Sequence, residues 1–148
     1  MHIALAADHA GYTLKDELAS WLQEQGHQVT DLGTNASESV DYPQFGAKLA
    51  HFVGSGQADR GVVVCGSGIG ISIAVNRDPR CRCARVDDPL SAALAREHND
   101  ANVLALGARL VGPDMAKACV LAFLCTDFAG GRHQRRVDQL SNELQDSD

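Results

Sequence analysis

The chain has 148 residues, of which 45% are hydrophobic and 22% charged, and its formal net charge is −6. That length suits one packed domain and leaves little room for a second, and no stretch approaches the ~20 apolar residues of a membrane span. The acidic balance excludes a partner such as DNA held by the field of the whole protein, so any bound anion has to meet a local cluster of positive charge.

Short runs rich in Val, Ile, Leu and Ala predict buried strands over residues 2–7, 28–32, 61–65, 81–86 and 103–106. Each is followed by an amphipathic segment. The first covers 13–25, where Leu14, Leu18, Trp21 and Leu22 recur at helical spacing and Gly26 is placed to stop the helix. The others fall near 43–53, 70–76, 89–98 and 113–126. Pro43, Pro89 and Pro113 each sit where a first helical turn tolerates proline. Five β-then-α units imply an α/β fold, a three-layer α/β/α Rossmann-like sandwich on a five-stranded parallel sheet. Right-handed crossovers restrict the strand order without fixing it. A further helix is expected over 133–145, with Val137, Leu140 and Leu144 on one face and no partner strand. It could dock on its own domain or on another subunit.

In such a sheet, ligands gather at the carboxyl ends of the strands. The chemistry-bearing residues cluster there in sequence: Asp8-His9-Ala10-Gly11 after the first strand, Cys65-Gly66-Ser67-Gly68-Ile69-Gly70 after the third, and Gly107-Ala108-Arg109 after the fifth. Glu97-His98-Asn99-Asp100 falls in the segment following the fourth.

Glycine at alternate positions from Gly66 to Gly70, running into a helix, can leave backbone N–H groups free to converge on an anion. The bland alternative is a tight turn. Ile71 breaks a dinucleotide fingerprint, no Gly-Lys-Ser/Thr follows for a P-loop, and Cys65 stands where a G-x-S-x-G elbow needs glycine. A thiol at Cys65 would sit where a thiolate is stabilised and could act as nucleophile or general base; otherwise it is a small buried hydrophobe. The second reading applies to Cys119 and Cys125, on an apolar helix. Cys81 and Cys83 have no second ligand pair nearby, so no metal site is expected. Asp8 and His9 could bind hydroxyls or a phosphate, or Asp8 could simply cap the first helix. His98 could complement a helix dipole. His2, His27 and His51 carry no such context. Arg132 and Arg136, four apart, would share a helical face and could grip one phosphate. The five cysteines form no disulfide pattern, and the start of the chain has no basic region followed by an apolar one. A reducing, cytoplasmic location is therefore expected.

Taken together, Asp8-His9-Ala10-Gly11, Asp41-Tyr42-Pro43, Cys65-Gly66-Ser67-Gly68-Ile69-Gly70, Arg96-Glu97-His98-Asn99-Asp100-Ala101-Asn102-Val103 and Gly130-Gly131-Arg132-His133-Gln134-Arg135-Arg136-Val137 resemble the type B ribose-5-phosphate isomerase family, which also includes galactose- and allose-6-phosphate isomerases. The resemblance runs through nearly the whole chain, in order. It implies a single sugar-phosphate isomerase domain over 1–148, a homo-oligomer (dimer or tetramer) with active sites shared between subunits, and a C-terminal helix at the subunit interface. It implies a sugar phosphate as the small-molecule partner, no cofactor, no nucleic acid and no membrane. Cys65 matches the general base that moves a proton between C1 and C2. Gly66, Ser67, Gly68, Ile69 and Gly70 match the anion hole for the enediolate. His98 of a neighbouring subunit matches the ring-opening group, with Asp8 on the sugar and Asn99 holding the substrate. His9, Arg109, Arg132 and Arg136 match contacts at the phosphate end, and Tyr42 lies near the sugar. One branch of the family carries a Glu six residues beyond the cysteine position; here Ile71 stands there, which points to the thiol branch. Leu90 departs from a frequent aromatic. Six-carbon sugar phosphates and a non-catalytic sugar-phosphate sensor are the competing readings.

Overall fold

The computed structural model describes residues 1–141. Its strands are β1 (His2–Ala7), β2 (Gln28–Asp31), β3 (Arg60–Cys65), β4 (Cys83–Arg85) and β5 (Val103–Gly107). They form one five-stranded sheet of order β2-β1-β3-β5-β4, with every neighbouring pair parallel. The helices are α1 (Tyr12–Glu24), α2 (Tyr42–Gly54), α3 (Ile69–Val75), α4 (Pro89–Asn99), α5 (Pro113–Cys125) and α6 (Gln134–Ser141). Among the described residues, no helix is long and apolar enough to cross a membrane.

The central strands read as near-continuous apolar runs because helices cover both faces. On one face Ile3, Leu5, Val62, Val64, Leu104 and Leu106 pack with Leu14, Leu18 and Leu22 of α1, Ala92 and Ala95 of α4, and Cys119 and Phe123 of α5. On the other, Ala4, Val63, Val103 and Ala105 meet Leu49 and Val53 of α2 and Ile71 and Val75 of α3. The alternation along each strand sends successive side chains into opposite layers, giving the expected three-layer sandwich. Leu18 and Leu22 are fully buried, and burial of each is worth about 1.5–3 kcal/mol. The α1 face ends at Gly26, whose φ of +90° needs no Cβ penalty. The His27 N–H then reaches back to the Leu22 carbonyl at 3.1 Å, closing the last turn. Pro43, Pro89 and Pro113 each lie in the first turn of their helices.

The strand boundaries differ most at β4. Residues 81–86 were expected to be extended, but only Cys83–Arg85 form the strand. The Cys81 N–H is taken by the Asp78 carbonyl and the Arg82 N–H by the Asn102 side chain, which ends the ladder early on this edge. At the C-terminus, Gly131–His133 form a 3-10 turn before α6. Arg132 and Arg136 therefore do not lie on one continuous α-helical face as their spacing suggested. Val137 is buried and Leu140 exposed; residues 142–145 of the expected helix, Leu144 included, lie outside the described residues. Cys125 is exposed, unlike buried Cys119, because α5 ends there.

Candidate active site

The chain steps from β1 to its neighbour β2 on one side, then crosses back to β3 on the other. Such a reversal opens a crevice at the carboxyl ends of the strands. A cavity of about 370 Å³ lies there, lined by Asp8, His9 and Ala10 after β1, Cys65, Gly66 and Ser67 at the end of β3, Tyr42 and Gly70 from the first turns of α2 and α3, and Arg109 and Leu110 after β5.

Each group is held by backbone. Asp8 is buried, and its Oδ1 accepts the Ala10 and Gly11 N–H groups at 3.0 and 3.2 Å. It organises the turn after β1 rather than capping α1, whose first residue follows Gly11 without a side-chain cap. Gly11 itself is required: a Cβ there would stand 2.5 Å from the Val64 carbonyl oxygen. The His9 Nδ1 accepts the Val40 N–H at 3.2 Å, so a neutral His9 carries its proton on Nε2.

The 66–70 loop is tightly determined. The Gly68 N–H is donated to Cys65 Sγ at 3.1 Å, aiming a backbone dipole at the sulfur. Gly68 has φ +74°, and a Cβ would lie 2.8 Å from the backbone of Leu106. Ser67 Oγ accepts the Ile69 N–H at 3.2 Å, and the Ser67 carbonyl accepts Arg85 Nε at 3.0 Å. The β5 end closes the loop from beside it, with Ala108 N–H on the Cys65 carbonyl (2.8 Å) and Arg109 N–H on the Gly66 carbonyl (3.0 Å). The Arg109 guanidinium packs over Gly66, which has room for no larger side chain without displacing it. Among the described residues, no carboxylate forms a salt bridge with Arg109. A cationic group, a thiol, an imidazole and a carboxylate thus converge on one small polar cavity whose floor is a glycine loop. Ile71 is fully buried in the core, so the carboxylate that one branch of the family carries there has no counterpart.

His98, Asn99, Arg132 and Arg136 do not join this cavity. Helix α4 runs back along the sheet and delivers His98 and Asn99 to the edge where β5 begins. Val103 pairs with Gly61, whereas Gly107 pairs with Cys65. Four strand residues, about 13 Å at the usual rise, separate that edge from Cys65. Residues 97–100 thus end a helix just before the fifth strand, as the chain order has them, and lie at the amino ends of the strands, away from the residues that follow β1, β3 and β5. The backbone carbonyls of Asn99 and Asp100 accept Arg82 Nε at 3.1 and 3.0 Å, just ahead of β4, and Asn99 borders a second cavity of about 440 Å³ with Cys81, Arg82 and Cys83. The His98 ring stacks on His133 with centroids 4.5 Å apart and planes 13° apart. Loss of hydration, then the nearby positive charge of His98, Arg132 and Arg136, holds the His133 imidazole below its ordinary range.

Burial raises Cys81 to about 11, and the isolated Cys83 thiol goes higher still, so neither is a ready thiolate. Among the described residues, no group of three or more His, Cys, Asp or Glu is arranged to hold a metal ion. Leu90 is exposed and does not line the site cavity. Leu110 and Ala10 do line it; nothing in their apolar side chains marks them in sequence.

A family model described as Ribose/Galactose Isomerase matches residues 3–140. The chain belongs to the ribose/galactose isomerase family. It is 45% identical over 139 residues to the ribose-5-phosphate isomerase B of Escherichia coli, covering 94% of this chain and 93% of that one. The ribose-5-phosphate isomerase B of Clostridium thermocellum is 50% identical with a TM-score of 0.94, covering 95% of both chains. The ribose-5-phosphate isomerase B of Mycoplasma genitalium, solved with bound ribulose 5-phosphate, is 39% identical with a TM-score of 0.91, covering 95% of this chain and 93% of the other. The family is thus matched over residues 3–140 by sequence and over 95% of the chain by shape.

Proposed function

We propose that this chain is an aldose–ketose isomerase that interconverts ribose 5-phosphate and ribulose 5-phosphate through an enediolate. The observation that carries the reading is Cys65: its sulfur accepts the Gly68 N–H at the head of a glycine loop, inside a cavity shared with Asp8, Ser67 and Arg109. Membership of a family whose relatives bear this name supports the substrate. Isomerisation removes a weakly acidic proton beside a carbonyl, so it needs one base and prepaid stabilisation of the oxyanion that develops. In this reading Cys65 takes the C2 proton and returns it to C1. The loop of Gly66, Ser67, Gly68, Ile69 and Gly70 holds the enediolate oxygen on the backbone amides it leaves free, those of Gly68 and Ile69 being given to Cys65 Sγ and Ser67 Oγ. Asp8 accepts a sugar hydroxyl, Tyr42 flanks the sugar, and His9 and Arg109 bind at the phosphate end.

A single chain keeps His98, Asn99, Arg132 and Arg136 away from Cys65, with His98 and Asn99 at the opposite end of the strands. We therefore assign the working site to a homo-oligomer, dimer or tetramer, in which a neighbouring subunit supplies His98 to open the furanose ring, Asn99 to hold the sugar, and Arg132 and Arg136 to bind phosphate. The whole chain then acts as one isomerase domain, with its C-terminal helix at the subunit contact. Five free thiols, an odd number, suit a cytoplasmic enzyme.

A coupled assay for ribulose 5-phosphate on the purified protein tests this. Turnover of ribose 5-phosphate with a kcat/KM above that for allose 6-phosphate supports it. A higher value for the six-carbon sugar overturns the substrate assignment, and binding without turnover would make the protein a sensor.

A further inference from the structure

Lys15 is fully buried, and the proposed chemistry makes no use of it. It lies on α1 between Leu14 and Leu18, on the face that packs against the sheet. Its ammonium reaches three acceptors: Asp31 Oδ2 at 2.6 Å, Asp16 Oδ1 at 2.7 Å and Asn35 Oδ1 at 2.8 Å. All three ammonium protons are thereby used. The lysine is buried while Asp16 and Asp31 stay half and one-third exposed, an arrangement that is a weak source of stability, and an apolar side chain would pack at this position with no desolvation cost. What the charge supplies is geometry, because it fixes where two carboxylates and an amide must stand.

Asp16 is the next residue of α1, but Asp31 and Asn35 belong to the segment that leaves β2 and returns to the cavity. Asp31 closes β2, and its Oδ1 also accepts the Gly33 N–H at 2.8 Å. Gly33 and Thr34 then bond to both backbone groups of Ala7, the residue just before Asp8, at 2.7 and 2.8 Å. Asn35 is tied directly to Lys15, and five residues later the Val40 N–H is donated to His9 Nδ1. His9 lines the cavity. The buried ammonium is therefore joined to Ala7, at the end of β1, by hydrogen bonds through Asp31, Gly33 and Thr34, and to His9 through the backbone of residues 35–40.

We propose that Lys15 is a positioning residue: it pins the loop of residues 31–40, and through Val40 that loop holds His9 in the tautomer with its proton on Nε2 and its ring at the phosphate end of the cavity. The functional part rests on the reading of His9 given above. Lys15 touches no substrate, and Cys65 stands on a different strand, so loosening the pin degrades binding and spares the proton transfer.

Two variants test it. Lys15→Met keeps the length of the side chain and removes the charge. Asn35→Ala removes one arm of the pin at an exposed loop position and leaves Lys15 paired with Asp31, so it serves where Lys15→Met fails to fold. The readouts are the His9 tautomer, from long-range ¹H–¹⁵N spectra, and the constants for ribose 5-phosphate turnover with inorganic phosphate as competitive inhibitor. The expected result is a mixture of His9 tautomers in place of one, with KM and the phosphate inhibition constant rising about fivefold together and kcat within about twofold. A single Nε2–H tautomer and unchanged constants in folded Asn35→Ala would overturn the proposal. If the tautomer loosens but phosphate inhibition is unchanged, in Asn35→Ala and in His9→Ala alike, the pin stands and the phosphate role of His9 falls.

Discussion

The ring of Tyr42 lies against Gly70 so closely that a Cβ on Gly70 would stand 2.6 Å from Tyr42 Cζ. Tyr42 opens α2 and Gly70 sits in the first turn of α3, so this contact sets the width of the cavity between two helices that are far apart in sequence. Gly70 has no positive φ, and alanine is the better helix former by about 1 kcal/mol. Gly70→Ala should therefore leave thermal stability unchanged or slightly higher while displacing the tyrosine ring. The expected result is a fall in kcat/KM of about tenfold, since misplacement on the order of an ångström has that kind of cost. Combining it with Tyr42→Ala should show strong non-additivity, as the clash is then absent. Additive losses would separate the two positions.

Cys65 and His98 lie at opposite ends of the strands within one chain, Cys65 at the carboxyl end of β3 and His98 near the start of β5. If they work together, they do so across a subunit boundary. Cys65→Ala and His98→Ala chains, each nearly inactive alone, should regain activity on mixing, because each mixed dimer holds one site with both groups intact. Up to about half the native activity per mixed dimer is expected on that symmetry argument. No recovery, with subunit exchange proven by mass spectrometry, would put both residues in a single-chain site.

The stacked pair of His98 and His133 gives a pH-dependent signature. His133 is held below its ordinary value, first by loss of hydration and then by the charge of His98, with Arg132 and Arg136 adding to it and Glu97 opposing it. An imidazole so depressed binds fewer protons folded than unfolded. Its contribution therefore favours the fold above the ordinary imidazole value of 6.5 and turns against the fold as pH falls from there through the depressed one. His98→Asn removes the stacked ring and its charge together. In an NMR titration, His133 should then move upward toward its ordinary range. An unmoved His133 would show that the stack is not what depresses it.

Much of the architecture is visible in the chain because its signals are local. Apolar runs bounded by turns mark the strands, and Pro43, Pro89 and Pro113 mark the helix starts. The glycine loop is equally legible, since Gly68 combines a positive φ with backbone contact to β5 that no other residue could accept. What could not be read is set by long-range pairing. Lys15 stands beside Leu14 in a helical repeat where lysine ordinarily faces water, and its partners Asp31 and Asn35 lie 16 and 20 residues further on. The placement of 97–100, by contrast, was legible: the helix expected over 89–98 sets them just before the fifth strand, and α4 ends there. Arg132 and Arg136 obey helical spacing, yet Gly130 and Gly131, both with positive φ, start a 3-10 turn that takes in Arg132 and leaves Arg136 alone on α6.

The most direct test of the central claim follows the transferred proton itself. Ribose 5-phosphate incubated with the protein in D₂O is monitored by NMR for formation of ribulose 5-phosphate and for deuterium entering the C1 position. The native protein should form ribulose 5-phosphate with solvent deuterium at C1, because a thiol that has taken the C2 proton can exchange it with solvent during the life of the enediolate. Cys65→Ala should lose at least about 10³-fold in kcat while still binding the sugar phosphate, the pattern of a group that acts in the transition state. No conversion by the native protein, or near-native turnover by Cys65→Ala, would contradict the account.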